Sequence, residues 1–156
     1  MVEINRNWKY IEETQKWKNR TQYWWESSHH IYSHNIRDIS TSKFQPGGTL
    51  MTSINKAAHR VISSGRDDSG MGRWTWTRYR GKLGHTLRII TLYQCCKPKN
   101  PGPSTAYAQQ KRYLDSIGVS ICPRQKILDD VGIFITHCKA SHNKIILLSD
   151  MNSNIT

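Results

Sequence analysis

At 156 residues the chain can bury one core and is too short for two ordinary domains. Its mean hydropathy of -0.67 is low for a compact enzyme, yet 6 Trp and 7 Tyr are foreign to solvated, disordered chains. A formal net charge of +12, from 23 basic and 11 acidic residues, favours polyanionic partners through counterion release and steering.

No apolar run approaches the ~20 residues a bilayer span needs, and no apolar signal core opens the chain. A membrane partner is therefore not expected. Cys95, Cys96, Cys122 and Cys138 form no CxxC pair, and Cys138 with His142 lacks a second ligand pair. The cysteines are expected as reduced thiols of an intracellular protein.

The spacing predicts a helix from residue 5 to about residue 25, with Ile4, Trp8 and Ile11 on one stripe. Residues 26–46 are polar and read as a loop ending at Pro46-Gly47-Gly48. Gly48 to Ile54 and Arg60 to Ser63 are strand candidates, and Gly65 to Gly72 must turn. Arg73 to Tyr79 alternates aromatic and β-branched residues and suits a pleated surface. Thr86 to Tyr93 has apolar residues on both faces, as a central, doubly covered strand does.

Three prolines in Lys97 to Pro103 make a loop. Ser104 is the expected N-cap of a helix running to about Ile117. Pro123 opens another helix, whose inner face is read as Leu128, Val131, Ile135 and Cys138. Ile145 to Leu148 reads as a buried strand, with Ser149-Asp150-Met151-Asn152 emerging at its end. Strands followed by helices and a further strand make a mixed α/β domain spanning residues 1–156.

Asp150 and Asn152 lie two apart, so in extended chain both leave one face. A carboxylate beside an amide at a strand end suits phosphate hydrolysis. The first binds a hard metal or takes a proton from water, and the second donates to a phosphate oxygen. The structural alternative is that Asp150 only caps the following turn. Arg73, Lys97 and Lys99 are candidate phosphate contacts, or else ordinary solvated charges. Trp74 and Trp76 could stack on bases or pack between sheet and helix.

Four segments together resemble the endonuclease/exonuclease/phosphatase family, in particular its deoxyribonuclease-like and retroelement-borne endonuclease members. Val2-Glu3-Ile4-Asn5 is similar to the family's metal-glutamate motif. Arg88 to Tyr93 looks like its tyrosine-bearing strand. The Ser104 to Leu114 helix with Gln109-Gln110, then Pro123-Arg124, resembles the helix and Pro-Arg step before the last motif. Ser149-Asp150-Met151-Asn152 is similar to G-D-x-N with Ser for Gly.

The resemblance implies an incomplete four-layer α/β sandwich, two packed mixed sheets flanked by helices, truncated at both ends. It implies Mg2+ or Mn2+ held with Glu3, Tyr93 on the scissile phosphate, Asp150 directing the attacking water, and Asn152 positioning the phosphate. The implied substrate is nucleic acid, DNA rather than RNA, in the nucleus if the chain is a eukaryotic retroelement domain. The family's upstream asparagine strand and downstream Ser-Asp-His segment have no counterpart in this sequence, so the implied activity is impaired or absent in this chain alone. A non-catalytic basic nucleic-acid-binding module and a phosphatase of small phosphoesters are the competing readings.

Overall fold

Two hydrogen-bonded sheets with helices outside them organise the computed structural model, which describes residues 2–3, 11–37, 47–97, 99–100, 102–141 and 143–152. The smaller sheet has the order β1 (Val2–Glu3), β3 (Thr49–Ile54), β2 (Ser28–Ser33), and its described strands run antiparallel. The larger sheet has the order β4 (Val61–Arg66), β5 (Trp74–Arg80), β6 (Thr86–Tyr93), β7 (Asn143–Asp150). Its first three strands meander antiparallel, and β7 joins β6 in parallel. Parallel neighbours need a long crossover, supplied here by α3 (Ala106–Ser116) and α4 (Pro123–Ala140). Helix α1 (Ile11–Trp24) lies against β2, and the short α2 (Asn55–Ala58) follows β3. The class is α/β, as the sequence predicts.

Alternation along β5 and β6 decides which face meets which layer. Trp74, Ile90 and Leu92 are buried against Ile127 and Val131 of α4, with Trp76, Phe134 and Ile135 packed around them. Each large aliphatic removed from water there contributes roughly 1.5–3 kcal/mol. Trp74 and Trp76 are therefore packing residues, each with its ring within about 6 Å of Phe134. The opposite face, toward the small sheet, is hydroxyl-lined around Thr75 and Thr91 and apolar toward Leu87 and Ile89. Thr49 Oγ1 donates to Thr75 Oγ1 at 3.3 Å, Thr75 and Thr91 hydroxyls meet at 2.7 Å, and Ser53 meets the Tyr79 hydroxyl at 2.6 Å. Buried hydroxyls without partners would be costly; Thr49–Thr75 and Ser53–Tyr79 pair across the layers, and Thr75–Thr91 pair within the larger sheet.

Several expectations need correction. The polar 26–46 stretch contains β2, paired residue for residue with β3 from Ser28↔Ile54 to Ser33↔Thr49. His30 ties this strand to its neighbours, with Nε2 against the Thr21 hydroxyl of α1 at 2.9 Å and Nδ1 against Thr52 at 3.1 Å. Thr105, not Ser104, caps α3, its Oγ1 accepting from the Ala108 amide at 3.3 Å. On α4 the inner face turns on Ile127 at 1% exposure, while Leu128 is 39% exposed. Strand β7 is an open edge, and Ile146, Leu147 and Leu148 are 44%, 42% and 46% exposed rather than buried. The expected positions Ile4, Asn5, Trp8 and Pro46 and the pairing partner His142 lie outside the described residues.

Candidate active site

The end of the sandwich at which β6 and β7 finish gathers most of the candidates. In the parallel register Tyr93 stands opposite Asp150, and Leu92 opposite Ser149. The backbone of Glu3 pairs with Thr49, whose hydroxyl leads through Thr75 to Thr91, two residues before Tyr93. Glu3, Tyr93, Asp150 and Asn152 thus come from one end of the fold. The side chain of Glu3 is outside the described set. In open α/β sheets, ligand sites gather beyond the carboxyl ends of the strands.

Asp150 and Asn152 are not two side chains on one extended face. Asn152 has φ +43, so the chain has already turned, a conformation asparagine tolerates better than most residues. Asp150 Oδ1 accepts from the Asn152 amide at 3.1 Å, closing a local turn. The Asn152 side-chain nitrogen donates to the Gln94 carbonyl at 2.7 Å, and the Gln94 amide donates to the Asp150 carbonyl at 2.9 Å. Among the described residues Asp150 Oδ2, the Asn152 side-chain oxygen and its second amide hydrogen have no partner.

Arg124, the second residue of α4, fastens this turn to the end of β6. Its Nη1 donates to the Cys95 carbonyl at 2.8 Å and to the Asn152 carbonyl at 3.3 Å, and Nη2 donates to the Met151 carbonyl at 3.2 Å. Gln94 Nε2 returns a bond to the Arg124 carbonyl at 2.9 Å. Proline at the first turn of α4 costs no hydrogen bond and fixes the entry of the helix, which sets where the Arg124 backbone stands. Gln94 Oε1 is buried without a donor, an acceptor that a water or a ligand group would satisfy. Gln94 and Arg124 were not singled out by residue type. The only sequence signal was the Pro-Arg dipeptide opening a helix.

Tyr93 is 7% exposed and clusters with Cys95 and Ala106. Gly47, at φ +75, makes room for it, because a Cβ there would sit 3.1 Å from the Tyr93 ring. Lys97 and Lys99 are exposed on the loop after β6. Arg73 is not a phosphate contact. It is 1% exposed, its Nε and Nη2 lie 2.7 and 3.0 Å from Asp67, and its Nη1 lies 2.8 Å from Asp130. The Trp74 ring covers it at 4.6 Å.

Among the described residues no three His, Cys, Asp or Glu side chains gather into a metal-binding group. Asp67 at this end is committed to Arg73, and Asp150 has one oxygen without a partner among the described residues. That donor set is too sparse for a zinc or calcium cage. It suits magnesium, which commonly takes one or two carboxylates and keeps waters and substrate oxygens; Asp150 and the Glu3 position are the protein residues that would hold it. No described helix is long and apolar enough to cross a membrane, and all four cysteines are free thiols.

No family model matches the chain, and no curated protein matches it. Among solved structures, the human Nocturnin catalytic domain with bound sulfate anion is similar at a TM-score of 0.49 and 11% identity. The likeness covers 94% of this chain and 49% of that chain, so this chain spans about half the length of that neighbour.

Proposed function

We propose that this chain is a magnesium-dependent phosphodiesterase-type domain acting on nucleic acid, with slow turnover by itself. One observation carries the reading. A hydrogen-bonded Asp150–Asn152 turn is clamped by Gln94 and Arg124 beyond the ends of two parallel strands, with Lys97 and Lys99 exposed on the adjoining loop. In this reading Asp150 would direct or deprotonate the attacking water and Asn152 would hold a phosphate oxygen, with a metal supplying Lewis-acid help when bound. Asp150 and Glu3 would hold that metal, and Tyr93 would support the phosphate side.

Slow turnover is supported by two features. Among the described residues no histidine hydrogen-bonds Asp150 or Asn152. General acid–base help is typically worth ~10²–10⁴-fold in rate. Among the described residues the larger sheet also ends in an unpaired edge strand, β7, as it would in part of a larger sandwich. A retroelement origin, DNA over RNA, and a nuclear or other intracellular location belong to the same proposal.

The test is supercoiled-plasmid nicking at high protein concentration, with Mg2+ or Mn2+ and with EDTA. The expected result is slow nicking that needs the metal and disappears in Asp150→Ala while the circular dichroism spectrum is kept. Salt-sensitive binding without nicking, unchanged by Asp150→Ala or EDTA, would replace the reading with a basic binding module. Hydrolysis of inositol phosphates with an untouched plasmid would replace it with a phosphatase.

A further inference from the structure

At the opposite end of the sandwich the sheets part around a cavity of about 560 Å³. Its walls include Ile54 of β3, Tyr79 of β5, and Leu87 and Ile89 near the start of β6. Those residues lie on the face between the two sheets. They lie several strand positions from Tyr93 and Asp150, so this space is no part of the candidate active site. Its size falls within the range of small-molecule sites, which are apolar with a few placed polar groups.

The rim is cationic. Lys56 stands on α2, Arg60 follows that helix, and Arg80 closes β5; all three line the cavity. They form one corner, because the Arg80 amide donates to the Arg60 carbonyl at 2.7 Å. Asn55, at φ +49, turns the chain into α2, and its amide is held by the Ser27 carbonyl at 2.9 Å. None of the three basic side chains has an ion pair or side-chain hydrogen bond among the described residues. Elsewhere cations of this chain do find carboxylates, as Lys111 does with Asp115 and Lys126 with Asp130.

We propose that this cavity binds a free, single-tailed organic phosphate, with the tail between the sheets and the headgroup held by Lys56, Arg60 and Arg80. Two guanidinium forks and an ammonium suit a phosphate dianion better than a carboxylate monoanion. The apolar walls give the tail its share of the affinity. The site stands independently of the phosphodiesterase reading.

The test is calorimetric titration at about physiological ionic strength with decyl phosphate below its micelle concentration, against decanol and inorganic phosphate. Decyl phosphate should bind at least tenfold tighter than either. The double variant Arg60→Gln/Arg80→Gln, at exposed positions, should weaken it roughly tenfold, the scale of two exposed charge pairs. Ala57→Trp, exposed on α2 and lining the cavity, should block the tail without changing charge. Lys97→Gln/Lys99→Gln at the far end should leave binding unchanged. Equal affinity for decanol or inorganic phosphate would overturn the proposal. So would equal losses from the two charge variants, or binding only to anionic phospholipid vesicles.

Discussion

Replacing Arg73 by Met removes the centre of a buried ion-pair cluster. Its guanidinium, on a residue only 1% exposed, meets Asp67 at 2.7 and 3.0 Å, Asp130 at 2.8 Å and the Ser69 hydroxyl at 3.1 Å. Asp67 is 2% exposed and would keep only its bonds from the amides of Ser69 and residue 73. Breaking one side of a buried pair costs roughly 3–5 kcal/mol, equivalent to a fall in Tm of roughly 6–20 °C for a chain this size. Urea unfolding at neutral pH measures it, and Asp67→Asn with the double variant closes a cycle whose coupling should exceed about 1 kcal/mol.

The same variant has a signature in acid. Burial pushes the Asp67 carboxyl upward, but the Arg73 guanidinium outweighs that and holds it below the ordinary value of 3.8. A depressed folded-state pKa gives stability that is present above the unfolded value and lost as pH falls through the folded one. Stability of the unmodified chain should therefore decline below about pH 4, and this limb should vanish in Arg73→Met. Nucleic-acid binding should keep its salt slope in Arg73→Met, while Lys97→Gln/Lys99→Gln lowers it by about 1–2. A loss under about 1 kcal/mol with an unchanged acid limb would refute the reasoning.

Two further outcomes follow from the candidate site and its neighbourhood. Arg124→Met should cost about 2 kcal/mol, as partly exposed charge-assisted bonds to three carbonyls are lost. In hydrogen exchange it should release the amides of Gln94 and Asn152 more than those of β5; equal release throughout would remove Arg124 as the clamp. Burial pushes the Cys95 thiol from 9.0 up to about 11. A raised folded-state pKa means stability present below the unfolded value and lost as pH climbs from 9 to 11, by up to about 2.7 kcal/mol. Cys95→Ala should flatten the alkaline limb of urea midpoints measured across that window, and identical limbs would contradict the assignment.

The fold was legible where side-chain period and layer agreed. In β5, Trp74 and Trp76 face α4, while Thr75 and Thr77 are buried toward the small sheet. That second face explains why β2 was missed: Ser28-His29-His30-Ile31-Tyr32-Ser33 looks like solvated loop. Yet a layer interface lined by Thr and Ser hydroxyls accepts polar strands, because hydrogen bonds such as Thr49–Thr75, Ser53–Tyr79 and Ser64–His29 cross between the layers. β7 misled in the other direction. A run of aliphatics states a capacity for burial, but coverage depends on neighbours that a short window does not contain. Arg73 needed long-range contacts too, since Asp130 reaches it only because α4 crosses the larger sheet.

The candidate site sits at the end of an edge strand of the larger sheet, so what holds it in place decides whether it can act. Among the described residues, main-chain pairing fixes β7 through β6 alone, and no strand pairs with its outer edge. A turn carried by such an edge would be free to shift, and misplacement of about 1 Å is enough to cost ~10²-fold in rate. Asp150 and Asn152 escape that because their turn is tied inward. Gln94 receives Asn152 and holds Asp150, while Arg124 binds the carbonyls of Met151, Asn152 and Cys95. Both ties come from buried or half-buried ground, on β6 and on the proline-started α4. The order of the site therefore depends on the contact between β6 and α4 more than on β7. Substitutions in the exposed face of β7, such as Leu148→Ser, should leave the Asp150–Asn152 turn intact, whereas Gln94→Ala should loosen it. Hydrogen exchange at Asn152 would distinguish the two, and the opposite ranking would place the support on β7 after all.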